Sequence, residues 1–230
     1  MLTHAFDSQR PPSRVVLLGA RGFVGQTTCR RLLADGIDVL AVGREELDLL
    51  SEGAAAQLAG LLRPLDCLVV VSAKAPVKNE QMFQENIAMM TAVCSALETV
   101  KPAHVVYISS DAVYSDSMKP LNERSSAQPD SLHGQMHLAR EGMLSQVYDG
   151  PLALLRPTLL YGAKDPHNGY GPNRFRRLAA AGEEIVLFGE GEEQRDHVKI
   201  DDVAELIRRV VVHRRAGGTL TRSSSDPGSS

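Results

Sequence analysis

The sequence RVVLLGARGFVG, residues 14–25, determines the fold of this chain. It starts with a short run of β-branched and aliphatic residues that ends at Gly19, and it continues into apolar residues at helical spacing. This pattern predicts a strand, a glycine turn and a helix. Such glycines allow a tight turn and a close approach of the backbone to a phosphate, while N–H groups at the helix start attract anions. The segment Gly19-Ala20-Arg21-Gly22-Phe23-Val24-Gly25 is therefore a candidate pyrophosphate site, and a plain glycine-rich turn is the alternative.

Strands and helices alternate along the chain after this turn. Continuous apolar runs predict further strands at 37–42, 66–71, 103–109 and 151–157, and amphipathic stretches predict helices, the longest at 80–99 and 132–147. Because alternating strands and helices bury both faces of a sheet, the pattern predicts an α/β fold with a doubly wound parallel sheet. Beyond residue 160 we expect one helix and one short strand within 174–189, and a last helix at 201–215.

Composition excludes several classes of protein. The 230 residues include 25 basic and 28 acidic side chains, for a net charge of −3, without the dense basic block that nucleic-acid binding needs. The apolar runs are too short to cross a bilayer, and the N-terminus has no signal-peptide core. Three cysteines, Cys29, Cys67 and Cys94, lie far apart in apolar stretches, which indicates buried free thiols. We therefore expect a soluble, cytoplasmic protein that contacts neither membrane nor nucleic acid.

The end of the second strand indicates which dinucleotide is preferred. An acidic residue at this point holds a ribose 2′-hydroxyl, whereas an arginine accommodates a 2′-phosphate. Here Arg44 follows Gly43, and Arg21 lies within the glycine turn, so the sequence favours NADP(H). Glu45 and Glu46 keep NAD(H) possible, and an ordinary solvated loop is a further interpretation.

Several segments in register then resemble the extended short-chain dehydrogenase/reductase family of nucleotide-sugar epimerases, dehydratases and reductases. These are GARGFVG, GREELDLL, VVSAKAP, QENIAMMTAV, YISSDAVYS, LLRPTLLYG, FGEGEEQRDHVKIDDVAELI and GTLTRS. The resemblance implies a Rossmann-type fold, a nucleotide-sugar substrate and a homodimer formed through the helices at 80–99 and 132–147. It also implies site residues: Phe23 and Val24 in the glycine turn, Asp48 and Leu49 beside the adenine, Ala73 beside the ribose, Asn86 as a structural asparagine of the cofactor site, and Ser110 in the active site.

The resemblance also implies an order of domains. It places an NAD(P)-binding domain at 13–160 and a small, truncated substrate-binding portion, intertwined with it, at 161–215. We expect a disordered lead at 1–12 and a flexible tail at 216–230. Extended members of the family continue well beyond the GTLTRS position, so part of the sugar-binding lobe is expected to be missing and classical turnover becomes doubtful.

One motif departs from the family pattern. Members carry Tyr-x-x-x-Lys on the helix after the fourth strand, in which the tyrosine is the acid/base and the lysine holds the ribose and lowers the tyrosine pKa. In PDSLHGQMHLARE, His133 stands at the tyrosine position and His137 at the lysine position, while Gly134 and Glu141 still fit. A phenol with a pKa near 10 needs a cationic neighbour at neutral pH, whereas an imidazole with a pKa of about 6.5 does not.

Four interpretations of these histidines stay open. His133 replaces the tyrosine as proton shuttle, with Ser110 bonded to the reacting oxygen. Alternatively, the chain is a non-catalytic dinucleotide-binding descendant that serves as a sensor or partner subunit. A metal held by His133, His137 and Glu141, one helical turn apart, is a weaker interpretation, so we assign no metal, and two hydrogen-bonded helix histidines are the plainest one.

Other polar residues have a possible role in the substrate site. Asp111 follows Ser110, where an acid could protonate a leaving hydroxyl, although capping of a turn is the more ordinary role. Arg195 belongs to an Arg-Asp pair that the resemblance places near the substrate diphosphate, and a surface ion pair is the alternative. Lys74 and Lys78 could supply a cation near the nicotinamide, although exposed loop lysines are common.

Overall fold

A computed structural model describes residues 2–5, 11–116, 121–169, 171–187, 189–191 and 195–222. The strands are β1 (Thr3–His4), β2 (Val15–Leu18), β3 (Val39–Val42), β4 (Cys67–Val70), β5 (His104–Ile108), β6 (Leu152–Pro157), β7 (Leu159–Tyr161), β8 (His197–Lys199), β9 (Arg215–Ala216) and β10 (Gly218–Arg222). The helices are α1 (Phe23–Ala34), α2 (Ala54–Leu61), α3 (Glu80–Thr99), α4 (Leu132–Val147), α5 (Pro172–Ala181) and α6 (Ile200–Val212), with a 3₁₀ turn at Asp111–Val113.

A six-stranded parallel sheet forms the centre of the molecule, in the order β10-β6-β5-β4-β2-β3. Two small sheets flank it: antiparallel β1 with β9, and parallel β7 with β8. Because all six central strands run the same way, their carboxyl ends meet at one edge. The chain also reverses its strand order between β2 and β4, and such a crossing point in an open α/β sheet is where a ligand binds. The predicted doubly wound α/β fold is confirmed.

Helices cover both faces of the sheet, and the strand residues alternate between them. Val16 and Leu18 of β2 belong to a core with α2, α3 and α4, whereas Val15 and Leu17 belong to a second core with α1 and α6. This follows from the two-residue period of a strand, which sends successive side chains to opposite faces. Strands β2 and β4 at the centre of the sheet are therefore apolar and buried at every position, as a sheet covered on both sides requires.

The two long helices have the predicted bounds because their first residues are capped. The Asn79 side chain accepts a hydrogen bond from the Met82 N–H, and the Ser131 hydroxyl accepts one from the Gly134 N–H. These caps satisfy amide groups that a helix start leaves without partners. Two of the three cysteines are buried and Cys29 is partly buried; all three are free.

Two predictions about the ends of the chain were wrong. The expected disordered lead includes β1, where Thr3 and His4 pair with Ala216 and Arg215, and Leu2 is buried. The expected flexible tail at 216–230 includes Ala216 of β9 and all of β10, and β10 extends the central sheet beside β6. Partners distant in sequence order both segments; residues 1, 6–10 and 223–230 lie outside the described part.

Two differences concern the predicted elements near the C-terminus. No strand forms over residues 183–187, where Ile185, Val186 and Leu187 are exposed and have no adjacent strand within the described residues. The last helix ends at Val212 instead of 215, because Arg214 adopts a positive φ of 51° and the chain turns into β9. No described helix is long and apolar enough to cross a membrane.

Candidate functional site

The glycine turn is built for close backbone packing. Gly19 has φ +84°, and a Cβ there would lie 2.8 Å from the backbone of Ser72 at the end of β4. A Cβ on Gly25 would collide with the Gly19 carbonyl oxygen. Helix α1 starts after Gly22, which offers no side-chain cap, so the first-turn N–H groups of Phe23, Val24 and Gly25 have no side-chain acceptor among the described residues. Free N–H groups at a helix start suit a phosphate.

An open cavity of about 250 Å³ lies beside this turn, at the carboxyl edge of the sheet. Its walls come from the glycine turn, from the loop after β3 and from the end of β4. The structure brings seven predicted cofactor residues together in this lining: Gly19, Arg21, Gly22, Arg44, Asp48, Leu49 and Ala73. The cavity therefore joins a site for phosphate to a partly apolar pocket that includes the buried Leu49, the two ends that an adenine dinucleotide requires.

Two arginines line this cavity, and each is paired with a carboxylate. The Arg21 guanidinium bonds to Glu46 and lies 3.4 Å from Glu45, and the Arg44 Nε donates to Asp48 Oδ2 at 3.0 Å. The hydrogen bond from Arg21 lowers the pKa of Glu46 to about 2, and the hydrogen bond from the Gly43 N–H makes a smaller contribution. Sequence reasoning did not pair Arg21 with Glu46, because that contact crosses between two separate loops.

Asn86 holds the loop after β4 in place. Its Oδ1 accepts from the Lys74 N–H at 2.9 Å, and its Nδ2 donates to the carbonyl oxygens of Lys74 and Met82 at 3.0 and 2.8 Å. The Lys74 ammonium pairs with Glu85 at 2.7 Å, and Lys78 is exposed. Asn86 thus acts on the cavity wall through the backbone of Lys74.

Histidines 133 and 137 lie one turn apart on α4, with ring centroids 4.8 Å apart in an edge-to-face arrangement. The Val77 N–H approaches His133 Nδ1 at 3.5 Å, the long limit of a hydrogen bond. Burial lowers the pKa of His133, and the charge of His167 adds to this. Burial also lowers the pKa of His137 well below its usual range, with smaller contributions from His133 and Arg140. Both imidazoles are therefore neutral at pH 7.

Two residues that the sequence analysis missed lie beneath these histidines. The Tyr107 hydroxyl is 2.8 Å from His137 Nδ1, and the Arg140 guanidinium lies 5.2 Å from the centre of the Tyr107 ring. Arg140 is completely buried, although arginine is almost never so unless it is paired. The only signal in the sequence was its position, three residues after His137.

Ser110 and Asp111 follow β5 at the same edge of the sheet. The Ser110 hydroxyl accepts from the Ala112 N–H at 3.1 Å and donates to Asp111 Oδ1 at 3.2 Å. Burial raises the pKa of Asp111 to about 6, so its carboxyl group titrates near neutral pH. This 3₁₀ turn packs tightly on the start of α4, because a Cβ on Gly134 would overlap the Ala112 carbonyl oxygen.

The remaining predicted residues have structural partners. Glu141 is buried and forms an ion pair with Arg156 through two hydrogen bonds of 2.9 and 2.6 Å, which joins α4 to β6. Arg195 lies 3.3 Å from Asp116, in an exposed pair. Among the described residues, no three His, Cys, Asp or Glu side chains are grouped as a metal site would require.

Comparisons with known proteins agree with this architecture. Residues 15–221 match the model of the NAD dependent epimerase/dehydratase family. The chain is 28% identical to UDP-glucose 4-epimerase of Mycolicibacterium smegmatis, with 85% of this chain and 72% of that protein covered. It is also 28% identical to dTDP-6-deoxy-L-talose 4-dehydrogenase (NAD(P)(+)) of Kitasatospora kifunensis, with 89% of this chain and 72% of that protein covered.

A solved structure shares the fold. UDP-glucose 4-epimerase of Thermus thermophilus, in complex with NAD, superposes with a TM-score of 0.78 at 23% identity, over 93% of this chain and 78% of that one. The family match spans nearly the whole chain, including the glycine turn and both histidines. This chain therefore belongs to the NAD-dependent epimerase/dehydratase family, within the extended short-chain dehydrogenases/reductases.

Proposed function

We propose that this protein binds NADP(H) in preference to NAD(H) and oxidises or reduces a nucleotide-activated sugar, with His133 as the acid/base. The cavity beside the glycine turn carries the dinucleotide part of the proposal, because its lining includes the buried Leu49 and two arginines, and it borders the start of α1, where no side chain caps the first N–H groups. The N–H groups of Phe23, Val24 and Gly25 would hold the pyrophosphate, Asp48 and Leu49 would flank the adenine, and Ala73 would lie beside the ribose.

The preference for NADP(H) rests on Arg21 and Arg44. Both line the cavity, both are mostly exposed, and a guanidinium binds a phosphate through two parallel hydrogen bonds. Their present partners, Glu46 and Asp48, also accept hydrogen bonds and so keep NAD(H) as the weaker ligand. We expect Arg44→Ala to reduce the affinity for NADPH about tenfold and to leave that for NADH within about twofold, as isothermal titration would show. Equal losses for the two dinucleotides would contradict the preference.

The acid/base assignment follows from the charge state of His133. A neutral imidazole at pH 7 can take the proton of a substrate hydroxyl on a ring nitrogen, and the resulting imidazolium returns it when the carbonyl is reduced. Ser110 would hydrogen-bond the reacting oxygen, and a bound nicotinamide would supply the hydride acceptor. Asp111, whose pKa is about 6, would be a second proton donor in a reaction that eliminates a hydroxyl group.

The relatives indicate the substrate class. Two curated relatives are named for a UDP-sugar and a dTDP-sugar, and the proposal extends that class to this chain. Arg195, beside the exposed Asp116, would contribute to binding the diphosphate. A panel of UDP-, GDP- and dTDP-sugars, assayed with NADP⁺ and NAD⁺ by absorbance at the reduced nicotinamide band and by product chromatography, tests the activity. Turnover that His133→Ala preserves would contradict the role of His133.

A second candidate function is dinucleotide binding without turnover. The observation that favours it is the buried, neutral His137, which cannot place a positive charge where the family has its lysine. Under this alternative, NADPH binds the protein with no conversion of any sugar in the panel. The double variant His133→Tyr, His137→Lys provides the decisive comparison, because it restores the family motif: a gain of activity from a silent wild type would support this second function.

A further inference from the structure

Three buried polar side chains lie beneath His133, and the proposed function uses only one of them. Tyr107 is on β5, and His137 and Arg140 are on α4, and all three are at most 5% exposed. Arg140 Nη2 donates to the Ser72 carbonyl oxygen at 2.8 Å, and Ser72 lines the dinucleotide cavity. The group is therefore connected to the cavity wall by a direct hydrogen bond.

The hydrogen bond between Tyr107 and His137 fixes the position of one proton. A hydroxyl group donates one proton, and within the described residues His137 Nδ1, at 2.8 Å, is the acceptor in reach of the Tyr107 hydroxyl. A buried hydroxyl whose proton had no acceptor would lose a hydrogen bond without compensation from water. Tyr107 therefore donates to Nδ1, and a neutral His137 carries its own proton on Nε2.

Burial keeps this histidine neutral, and Arg140 gives the group its charge. Its guanidinium stacks beside the Tyr107 ring, and its Nη1 is 3.5 Å from Asn86 Oδ1. In the described part of the chain no carboxylate lies within 4 Å of it, and its Nε has no hydrogen-bond partner there. A fixed positive charge at this place opposes a second proton on His137.

We propose that Tyr107 is a positioning residue that holds His137 as an Nε2–H donor toward a ribose hydroxyl of the bound dinucleotide, while Arg140 supplies the positive charge one layer below. The three side chains together thus take the place of a single lysine. This inference rests on the proposed dinucleotide binding and adds to it the tautomer of His137 and the residue that sets it.

Two matched variants test the role of the hydroxyl. Tyr107→Phe keeps the ring beside Arg140 and removes only the oxygen. Tyr148→Phe is the control, because that buried hydroxyl donates to the Pro102 carbonyl oxygen at 2.7 Å and lies outside the cavity lining. We expect Tyr107→Phe to weaken NADPH binding roughly three- to tenfold and Tyr148→Phe to leave it unchanged, although each loses one buried hydrogen bond.

A second comparison separates positioning from general loosening. His137→Gln keeps an amide N–H in place of Nε2–H and has no tautomer to fix. Adding Tyr107→Phe to His137→Gln should therefore cause no further loss of NADPH affinity. Additive losses in this double-mutant cycle would overturn the inference.

Histidine-ring ¹⁵N NMR of the protein without nucleotide gives an independent readout. The wild type should show His137 as the Nε2–H tautomer alone, and Tyr107→Phe should show a mixture of both neutral tautomers. An Nδ1–H signal in the wild type, or unchanged NADPH affinity in Tyr107→Phe, overturns the inference. If the wild type bound neither NADPH nor NADH, the proposed function and the ribose contact would both be overturned, and the tautomer spectrum would still decide whether Tyr107 sets the state of His137.

Discussion

His133 and Asp111 are two ionisable residues whose environments shift their pKa values in opposite directions. Burial lowers the pKa of His133 and raises that of Asp111 to about 6. The two residues come from adjacent elements, because the turn that contains Asp111 packs on Gly134, next to His133. The same site thus contains an imidazole that is a neutral base at pH 7 and a carboxyl group that is partly protonated at about pH 6. Such pairs divide the acid and base roles of a reaction.

The pH dependence of the reaction follows from the state of His133. Because its pKa lies below 6.5, the neutral base form predominates at pH 7, and kcat/KM for sugar oxidation should be constant from about pH 7 to 9. Below about pH 6.5 protonation removes the base, so kcat/KM should fall. His167→Asn removes a like charge, so it should shift this fall to higher pH. A rise that continues from pH 8 to 10 would instead indicate a phenol as the base.

The contact between the 3₁₀ turn and helix α4 determines where the histidines lie. A Cβ on Gly134 would overlap the Ala112 carbonyl oxygen, whereas one on Gly142 of the same helix meets nothing within 4 Å. We expect Gly134→Ala to destabilise the protein by about 2 kcal/mol or more, as overpacking against backbone does. Gly142→Ala should be neutral or stabilising by up to about 1 kcal/mol, because alanine favours a helix. Urea denaturation of both variants measures this, and equal midpoints would contradict it.

The same elements show how far the sequence determines the structure. The bounds of α3 and α4 follow from local signals, the caps Asn79 and Ser131, and so they were predicted correctly. Strand β10 was missed because its pairing with β6 is a contact between segments more than sixty residues apart. Residues 185–187 have strand-like composition but no neighbouring strand in the described part of the chain, and composition alone does not form a strand.

The candidate site divides in the same way. The residues of the cavity are close to the glycine turn in sequence or follow neighbouring strands, so their spacing and the family resemblance located them. Tyr107 and Arg140 were missed, because only the packing of α4 on β5 brings a strand tyrosine to a helix histidine. Buried polar contacts of this kind depend on tertiary structure and have no periodic pattern.

At the scale of the whole molecule, buried histidines link stability to pH. Burial lowers the pKa of His104 to about 4, and it also lowers the pKa values of His133 and His137. Below the unfolded pKa of about 6.5, the unfolded chain binds protons that the folded chain does not. The free energy of unfolding therefore decreases as the pH is lowered. His104 alone should contribute a loss of about 2 kcal/mol between pH 7 and 5.

Urea denaturation at pH 7 and pH 5 measures this loss. Glu46 and Glu205, whose pKa values are lowered to about 2, lose their contribution only below about pH 4.5. Asp111, whose pKa is raised to about 6, instead stabilises the folded chain as the pH falls from 7 to 5, so it offsets part of the loss in the wild type and in His104→Gln alike. His104→Gln is the comparison, because it removes the buried imidazole that bonds to the Arg215 carbonyl oxygen. The variant should be less stable at pH 7 but lose less on acidification. An equal pH dependence in both proteins would exclude His104 as a cause.

We propose that two copies of the chain form a homodimer whose interface is made by α3 and α4 of each copy. These two helices pack against each other, and their outer surfaces include Ala88 and other small or polar residues that are exposed in the single chain. A dimer would bury these surfaces and fix the α4 helices that carry the histidines.

We expect sedimentation velocity to give a mass of roughly twice 24.9 kDa. Ala88→Arg should convert it to a monomer, because the arginine is tolerated on an exposed helix surface but cannot be buried without a partner. Ala56→Arg on the exposed surface of α2 should leave the dimer intact. If both variants sediment like the wild type at micromolar concentration, α3 and α4 do not form the interface.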